Sequence, residues 1–384
     1  MNLFQTHKKP KDLDEKERLN WLRLIRTDNI GPITFYQLIE NFGSAGEALK
    51  ALPELAKRGG RKKPLNAPSE KAIEQEYRAL QKIGGTIITA MDESYPLALA
   101  ATDDAPPVLS IRGDASLLNK SCIAIVGARN ASINGKKFSF KIAADLGVKG
   151  QIITSGLARG IDTAAHEGSL QTGTIAVVAG GIDVVYPEEN QKLYDAIAEK
   201  GVIVAESAFG AKPFAAAFPR RNRIVSGISK GIIVVEATQR SGSLITARLA
   251  GEQGRDVFAV PGSPLDPRAS GPNHLIREGA TLIRSADDVL EILMNFSGNT
   301  LREPLYTKAN FTLPITLAAN TDSPPEDLQE KVLSHLSFSS ISVDELIRAC
   351  HVTISALQTT LLELELAGRI KRLPGNRIML VDEV

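Results

Sequence analysis

Seven short runs rich in isoleucine and valine recur through the middle of the chain, at 123–126, 152–154, 175–178, 202–205, 232–235, 257–259 and 282–283. Helical segments fall between most of them. A strand covered on both faces reads as a continuous apolar run. Strands that alternate with helices join by right-handed crossovers into a parallel sheet. The pattern therefore predicts a Rossmann-like α/β layer, doubly wound and mostly parallel. Ligands of such layers sit beyond the carboxyl ends of the strands, at helix N-termini whose free N–H groups attract anions. The first of these turns lies in SCIAIVGARNAS, 121–132. Its apolar run breaks at Gly127, Arg129 follows, and a helix is expected from about 135 to 149. It lacks the second and third glycines of G-x-G-x-x-G and carries an arginine.

The later turns are similar. The second reads TSGLARGID, 154–162, where Gly156 and Gly160 let the backbone approach a ligand and Asp162 is expected to cap the next helix. The third is GGID, 180–183; the fourth ends in Phe218, Pro219, Arg220, Arg221, Asn222 and Arg223. The fifth carries Ser241, Gly242 and Ser243, with either serine able to cap a helix, and the sixth is VPGS, 260–263. These loops offer backbone N–H groups and hydroxyls beside Arg129, Arg159, Arg221 and Arg223. One arginine alone reads equally well as a rim salt bridge. Four on loops at one edge of one sheet suit several phosphates, because guanidinium forks match phosphate oxygens. Asp162, Asp183, Glu206 and Glu236 lie near strand ends, where they could cap helices or hold the arginines. They form no general acid/base pair, and His166 reads as a packed histidine.

Several chemistries find no support. No G-x-x-x-x-G-K-[ST] or G-x-S-x-G run occurs. The five histidines show no metal-ligand spacing. The two cysteines, Cys122 and Cys350, are far apart, which argues against a disulfide framework and fits a reducing compartment. Net charge is +1, so a nucleic-acid site must be a local patch. The polar N-terminus has no signal-peptide core, and no apolar run is long enough to span a membrane. A soluble cytoplasmic protein is expected.

Five segments are expected: a disordered tail over 1–14, a helical domain over 15–84, the sheet domain over 85–300, a linker over 301–325, and a small domain over 326–384. In the helical domain, Trp21, Leu22 and Ile25, then Phe35, Leu38 and Ile39, recur at helical spacing around the turn at Gly31 and Pro32. That turn resembles the hairpin of helix–hairpin–helix (SAM-like) modules, which can hold a DNA phosphate; it reads equally as a helical packing unit. The basic stretch 57–68 reads as a solvated loop. Short elements over 85–110 are expected to add an edge to the main sheet. The small domain reads as a winged helix, with helices near 327–336, 342–350 and 354–367 and a hairpin around Pro374, Gly375 and Asn376.

Seven motifs occur in order: IVGAR, SGLARGIDTAAH, GGIDVVYP, FPRRNRIVSGIS, SGSLITA, FAVPG and GPNHLIREGA. This series resembles the DNA-processing protein A family (DprA, also called Smf), densely over about 107–293. The resemblance implies a non-enzymatic protein without cofactor or metal. It would bind single-stranded DNA, protect incoming strands, load RecA recombinase during natural transformation, and act as a homodimer. It implies Arg129 and Arg159 as the principal phosphate contacts. Gly127, Ser155, Gly156, Gly160, Phe218, Arg221, Asn222, Arg223, Ser241, Gly242 and Ser243 would complete the DNA-binding set. Many members have Ser where this chain has Ala128, and Lys where it has Arg159. Phe214 and Phe218 are candidates for base stacking. His274, Leu275 and Ile276 fall where the family's dimer surface lies. The third winged-helix segment carries no basic residue before Arg369, so a protein-contact or autoregulatory role suits it at least as well as base reading. The alternative is a Rossmann-like nucleotide hydrolase of the phosphoribohydrolase type, although its P-G-G-x-G-T turn is absent.

Overall fold

The computed structural model describes residues 13–60, 65–298, 328–337, 339–373 and 375–381. The expected tail, apart from its last two residues, and the whole expected linker lie outside the described residues, as do Arg61, Lys62, Lys63 and Pro374. The chain divides into two compact units. One takes in Gln75–Leu305, the other Met1–Glu74 together with Tyr306–Val384.

Three helices open the second of these units. α1 (Glu15–Ile25) is capped by Asp14, whose carboxylate accepts from Glu17 N. α2 (Pro32–Phe42) starts on the proline, where a missing N–H costs nothing, and ends at Gly43 in the left-handed region, φ 76°. α3 (Ala45–Arg58) is capped by Ser44. The apolar residues singled out by their spacing are the buried ones. Trp21 meets Phe35 edge to face at 4.9 Å between centroids, a favoured geometry for aromatic pairs.

After α4 (Glu70–Lys82) come the strands of the larger unit: β1 (Gly85–Thr89), β2 (Val108–Gly113), β3 (Cys122–Val126), β4 (Ile152–Ser155), β5 (Thr174–Val178), β6 (Val202–Ala205), β7 (Gly231–Val234), β8 (Asp256–Ala259) and β9 (Thr281–Leu282). They form one sheet in the order β1-β2-β6-β5-β4-β3-β7-β8-β9. All seven Ile/Val runs are parallel strands of it, and the expected edge is the antiparallel pair β1–β2, joined to β6. The helices are α5 (Leu97–Ala100), α6 (Ile133–Val148), α7 (Ile161–Ser169), α8 (Gln191–Lys200), α9 (Ala217–Ile228), α10 (Gly242–Glu252), α11 (Ser270–Arg277) and α12 (Ala286–Gly298). The core beside β3 joins Ile123, Ile125, Ile153, Ile233 and Phe258 of the sheet to Ile142 and Leu146 of α6 and Val289 of α12. The chain proceeds from β3 outward to β6 on one side, then returns to place β7 against the other side of β3. The carboxyl end of β3 is therefore the topological switch point, the expected ligand crevice of an open α/β sheet.

The C-terminal part is a winged helix: α13 (Leu328–His335), β10 (Ile341–Ser342), α14 (Val343–Cys350), α15 (Ile354–Leu366), β11 (Ile370–Leu373) and β12 (Arg377–Leu380). Its three strands pair in the order β10-β12-β11. Val332, Leu346, Leu357, Leu361 and Ile378 form its core. Within the same unit α15 packs on α3: a Cβ placed on Gly59 would come 2.0 Å from the Glu363 carbonyl oxygen, so only glycine fits. Asn29 Nδ2 donates to the Leu366 carbonyl at 3.5 Å, and Gln329 Nε2 donates to the Arg58 carbonyl at 2.9 Å. The second half of α15, from Thr360 to Leu366, is buried throughout. The segment that would read bases in a DNA-binding winged helix is thus taken up by protein contact.

Candidate nucleic-acid interface

Arg129 follows β3, Gly156 and Arg159 follow β4, and Phe218 and Arg221 lie in the first turns of α9. Together with Ala158, Tyr186 and Pro187 they line one narrow cavity at the carboxyl ends of the strands. The sequence places these turns there for local reasons. Ser132 caps α6, accepting from Gly135 N at 2.9 Å, and its own N–H and hydroxyl both donate to Glu236. That fixes where the turn holding Arg129 returns into a helix. Gly160, at φ 79°, is the cap of α7, and its backbone passes so close that a Cβ would sit 2.3 Å from the Ala128 carbonyl oxygen. Asp162 was the expected cap. It lies inside the first turn of α7 instead, and its carboxylate accepts from Gly156 N at 3.1 Å and Ala158 N at 3.3 Å. It stiffens the loop that carries Gly156 and Arg159.

The electrostatics converge on Arg221. Its side chain is 7% exposed, and its Nε has no hydrogen-bond partner. Burial pushes its pKa down to about 10; the Asp162 carboxylate works against that, and Arg129 adds to it. It remains a cation at neutral pH. The room for it is provided by Gly156, since a Cβ there would lie 1.6 Å from Arg221 Nη1. Burial raises the pKa of Asp162, against the pull of Arg221 and the two loop N–H groups. His166 is packed, as its place on the helix implied. Its Nδ1 lies 2.7 Å from Thr174 Oγ1, and burial first, then Arg221, brings its pKa down to about 3.

Arg129 and Arg159 reach outward. The guanidinium of Arg129 sits over the Phe218 ring, 5.1 Å from its centroid, and Phe218 leans on Tyr186 at 5.6 Å. Arg159 is paired at 2.7 Å with Glu189, and both side chains are more than half exposed. Such a pair is worth about 0–1 kcal/mol and yields readily to another anion. Three guanidinium groups, one of them buried without a carboxylate in contact, thus face one cavity backed by two aromatic rings. This geometry suits the phosphates and bases of a strand.

The remaining candidates divide. Arg223 is committed elsewhere: its Nη2 donates to Glu206 at 2.5 Å and its Nη1 to the Asp104 carbonyl at 2.6 Å. Both partners of the ion pair are under a tenth exposed. It holds the base of α9 and is no rim contact. The β2 strand makes this possible. It runs antiparallel to β6, so the segment before it, with Asp104, arrives at the same end of the sheet as Glu206. Ser155 is buried with its hydroxyl on the Ile125 carbonyl. Gly127 is packed against Ile161. Ser241 caps α10, with its hydroxyl 2.8 Å from that of Ser243, and Asn222 Nδ2 reaches the Gly242 carbonyl at 3.4 Å. Phe214 is 67% exposed and lines no part of the cavity. His274 is exposed on α11, with Leu275 and Ile276 half buried. Tyr186 and Pro187, which line the cavity, were not singled out from the sequence, although both stand in the GGIDVVYP motif. Among the described residues no group of His, Cys, Asp and Glu could hold a metal, and no helix is long and apolar enough to cross a membrane.

Known proteins resemble this chain in all three of its parts. A sequence model of DNA recombination-mediator protein A matches residues 86–294, that of the DprA-like N-terminal HHH domain matches 15–79, and that of the DprA winged helix domain matches 317–376. The chain is 38% identical to Protein Smf of Escherichia coli, over 81% of each chain. It is 47% identical to DNA processing protein DprA of Streptococcus pneumoniae over 52% of this chain and 71% of that one. The X-ray structure of the S. pneumoniae protein superposes with a TM-score of 0.59 at 36% identity, covering 72% of this chain and 96% of that one. The structure of DNA processing protein A from Helicobacter pylori, described for its single-stranded DNA binding mode, gives 0.51 at 30% identity, over 55% and 96%. On its sheet unit, its helical hairpin domain and its winged helix alike, the chain belongs to the DNA recombination-mediator protein A (DprA/Smf) family.

Proposed function

We propose that this protein binds single-stranded DNA along the carboxyl rim of its sheet, without sequence preference, by charge and stacking. The observation that carries the reading is Arg221, a buried cation with no carboxylate in contact, lining one cavity with Arg129 and Arg159. A buried charge without a partner is costly, and a phosphate supplies the missing one. Phe218 and Tyr186 give a stacking surface worth about 1–3 kcal/mol per base. Family membership supports the wider role: a cytoplasmic homodimer that protects incoming strands during natural transformation and delivers them to RecA recombinase. The dimer face is assigned to His274, Leu275 and Ile276 on α11, next to the outermost strand β9, whose Leu282 is 44% exposed.

Titrating an oligothymidine at several salt concentrations tests the binding site. The affinity should fall with a log–log slope of about −0.7 for each phosphate neutralised. In the Arg129→Ala/Arg159→Ala double variant that slope should flatten by about 1.4, twice the single-phosphate value. An unchanged slope would remove these residues from the site.

A further inference from the structure

The first turns of α6 and α7 enclose a second, wider groove of about 440 Å³, within the range of spaces that hold ligands. The two helices that form it are in close contact beneath it. A Cβ on Gly168 of α7 would lie 2.2 Å from the Phe140 carbonyl oxygen of α6, and Ser139 of α6 donates its hydroxyl to the Ile161 carbonyl of α7 at 3.0 Å. Its walls include Lys136, Lys137 and Phe140 from α6 and Gly160, Thr163 and Glu167 from α7. Phe140 follows the two lysines by four and three residues, so all three share one face of the helix. That face is exposed: both lysines, and 47% of Phe140, with Ile133 two turns before the ring at 74%. Neither lysine is ion-paired among the described residues, and the groove holds one carboxylate against their two charges.

An apolar ring held between cations, bare to solvent, recurs at grooves that carry single strands. The ring takes a base face and the ammonium groups take phosphates. The groove is also continuous with the rim. Gly160 lines it, and the other side of the Gly160 backbone touches the Ala128 and Arg129 carbonyls.

We infer that this groove is a second subsite for the same strand: nucleotides leaving the arginine cavity pass Gly160 and lie on the Lys136–Lys137–Phe140 face, with a base on Phe140. The inference rests on the single-strand reading given above. The occupant is the continuation of the bound DNA rather than a protein helix. A strand already held at Arg129 answers both the excess of cations and the shared wall at Gly160.

Oligothymidines of about six and about twenty nucleotides separate the two sites, since the shorter fills one and the longer reaches both. The triple variant Lys136→Ala/Lys137→Ala/Phe140→Ala should bind the short oligomer as the native protein does. It should lose roughly tenfold or more on the long one, with a salt slope flatter by about 1.4. The Arg129→Ala/Arg159→Ala variant should lose affinity for both lengths. A Phe140→Trp variant adds a direct reading, because the only native tryptophan, Trp21, is buried. Its emission should be quenched by the long oligomer and not by the short one. Equal losses on both lengths, or no loss and no quenching with the long oligomer, would overturn the subsite; the latter would leave the groove to a protein partner. If the arginine variant binds both lengths normally, the rim reading itself fails.

Discussion

Replacing Gly156 by alanine tests the rim without removing a charge. The backbone at Gly156 lies outside the left-handed region, so alanine brings no conformational strain of its own. Its methyl group would lie 1.6 Å from Arg221 Nη1, 2.4 Å from Cζ and 2.5 Å from Nη2. Ordinary carbon contacts begin near 3.5 Å, so the guanidinium must withdraw by roughly 2 Å. A displacement of that size breaks a hydrogen bond, whose useful range spans only a few tenths of an ångström. Hydrogen bonds to charged groups are worth about 1.5–3 kcal/mol, so single-strand affinity should fall roughly 10- to 150-fold. The salt slope should flatten by about 0.7, one phosphate. Fluorescence anisotropy of a labelled oligothymidine over a salt series reads both quantities. A double-mutant cycle with Arg221→Met fixes the cause. If Gly156 acts by making room for Arg221, the double variant binds no worse than Arg221→Met alone. Native affinity and slope in Gly156→Ala, or a double variant much weaker than Arg221→Met, would refute the geometry.

Three other expectations follow from the same structure. His166 has a pKa near 3 in the folded protein against 6.5 as the ordinary value. Between those values the unfolded chain binds the extra proton, so stability falls as pH drops below 6.5; at pH 5 the deficit is about 2 kcal/mol. Urea denaturation at pH 7 and pH 5 should show a smaller acid loss for His166→Asn by about that amount, and equal losses would contradict the burial argument. Glu206→Ala strips a buried arginine of its main carboxylate and should cost about 3 kcal/mol in thermal stability, with the DNA salt slope untouched. A flattened slope would return Arg223 to the rim. Gly59→Ala should force α3 away from α15, and amide hydrogen exchange along 360–366 should quicken; unchanged protection would show that the two helices do not depend on that contact.

How far the sequence reaches depends on the range of the interaction. The strands were readable because a run such as 123–126 states its own burial, and a cap at Ser241 or Ser243 because a cap acts within three residues; the Ser132 cap, equally local, was not singled out. The arginines were harder. Arg221 and Arg223 are two residues apart, which on a helix is about 200° of rotation. They therefore face opposite sides, and nothing local says which one meets the cavity. The answer lies with Asp104, more than a hundred residues earlier, carried to Glu206 by an antiparallel strand whose direction the sequence does not announce. Asp162 looked like a cap because it stands at the start of a helix; Gly160 takes that position because its backbone must pass the Ala128 carbonyl, a contact across two loops. The burial of α15 is of the same kind. Its lack of basic residues made protein contact at least as good a reading as base recognition, but only the fold shows that its cover is α3.

The pairing of Arg159 with Glu189 has a consequence for selectivity. The outermost cation of the rim is masked by an anion of the same surface, so a lone phosphate or a mononucleotide exchanges one carboxylate contact for one phosphate contact and gains almost nothing. A polymer already tethered at Arg129 and Arg221 presents its next phosphate to Arg159 at high effective concentration, and Glu189 cannot compete. The protein should therefore ignore the metabolite pool and answer only to ligands that engage several of its cations at once.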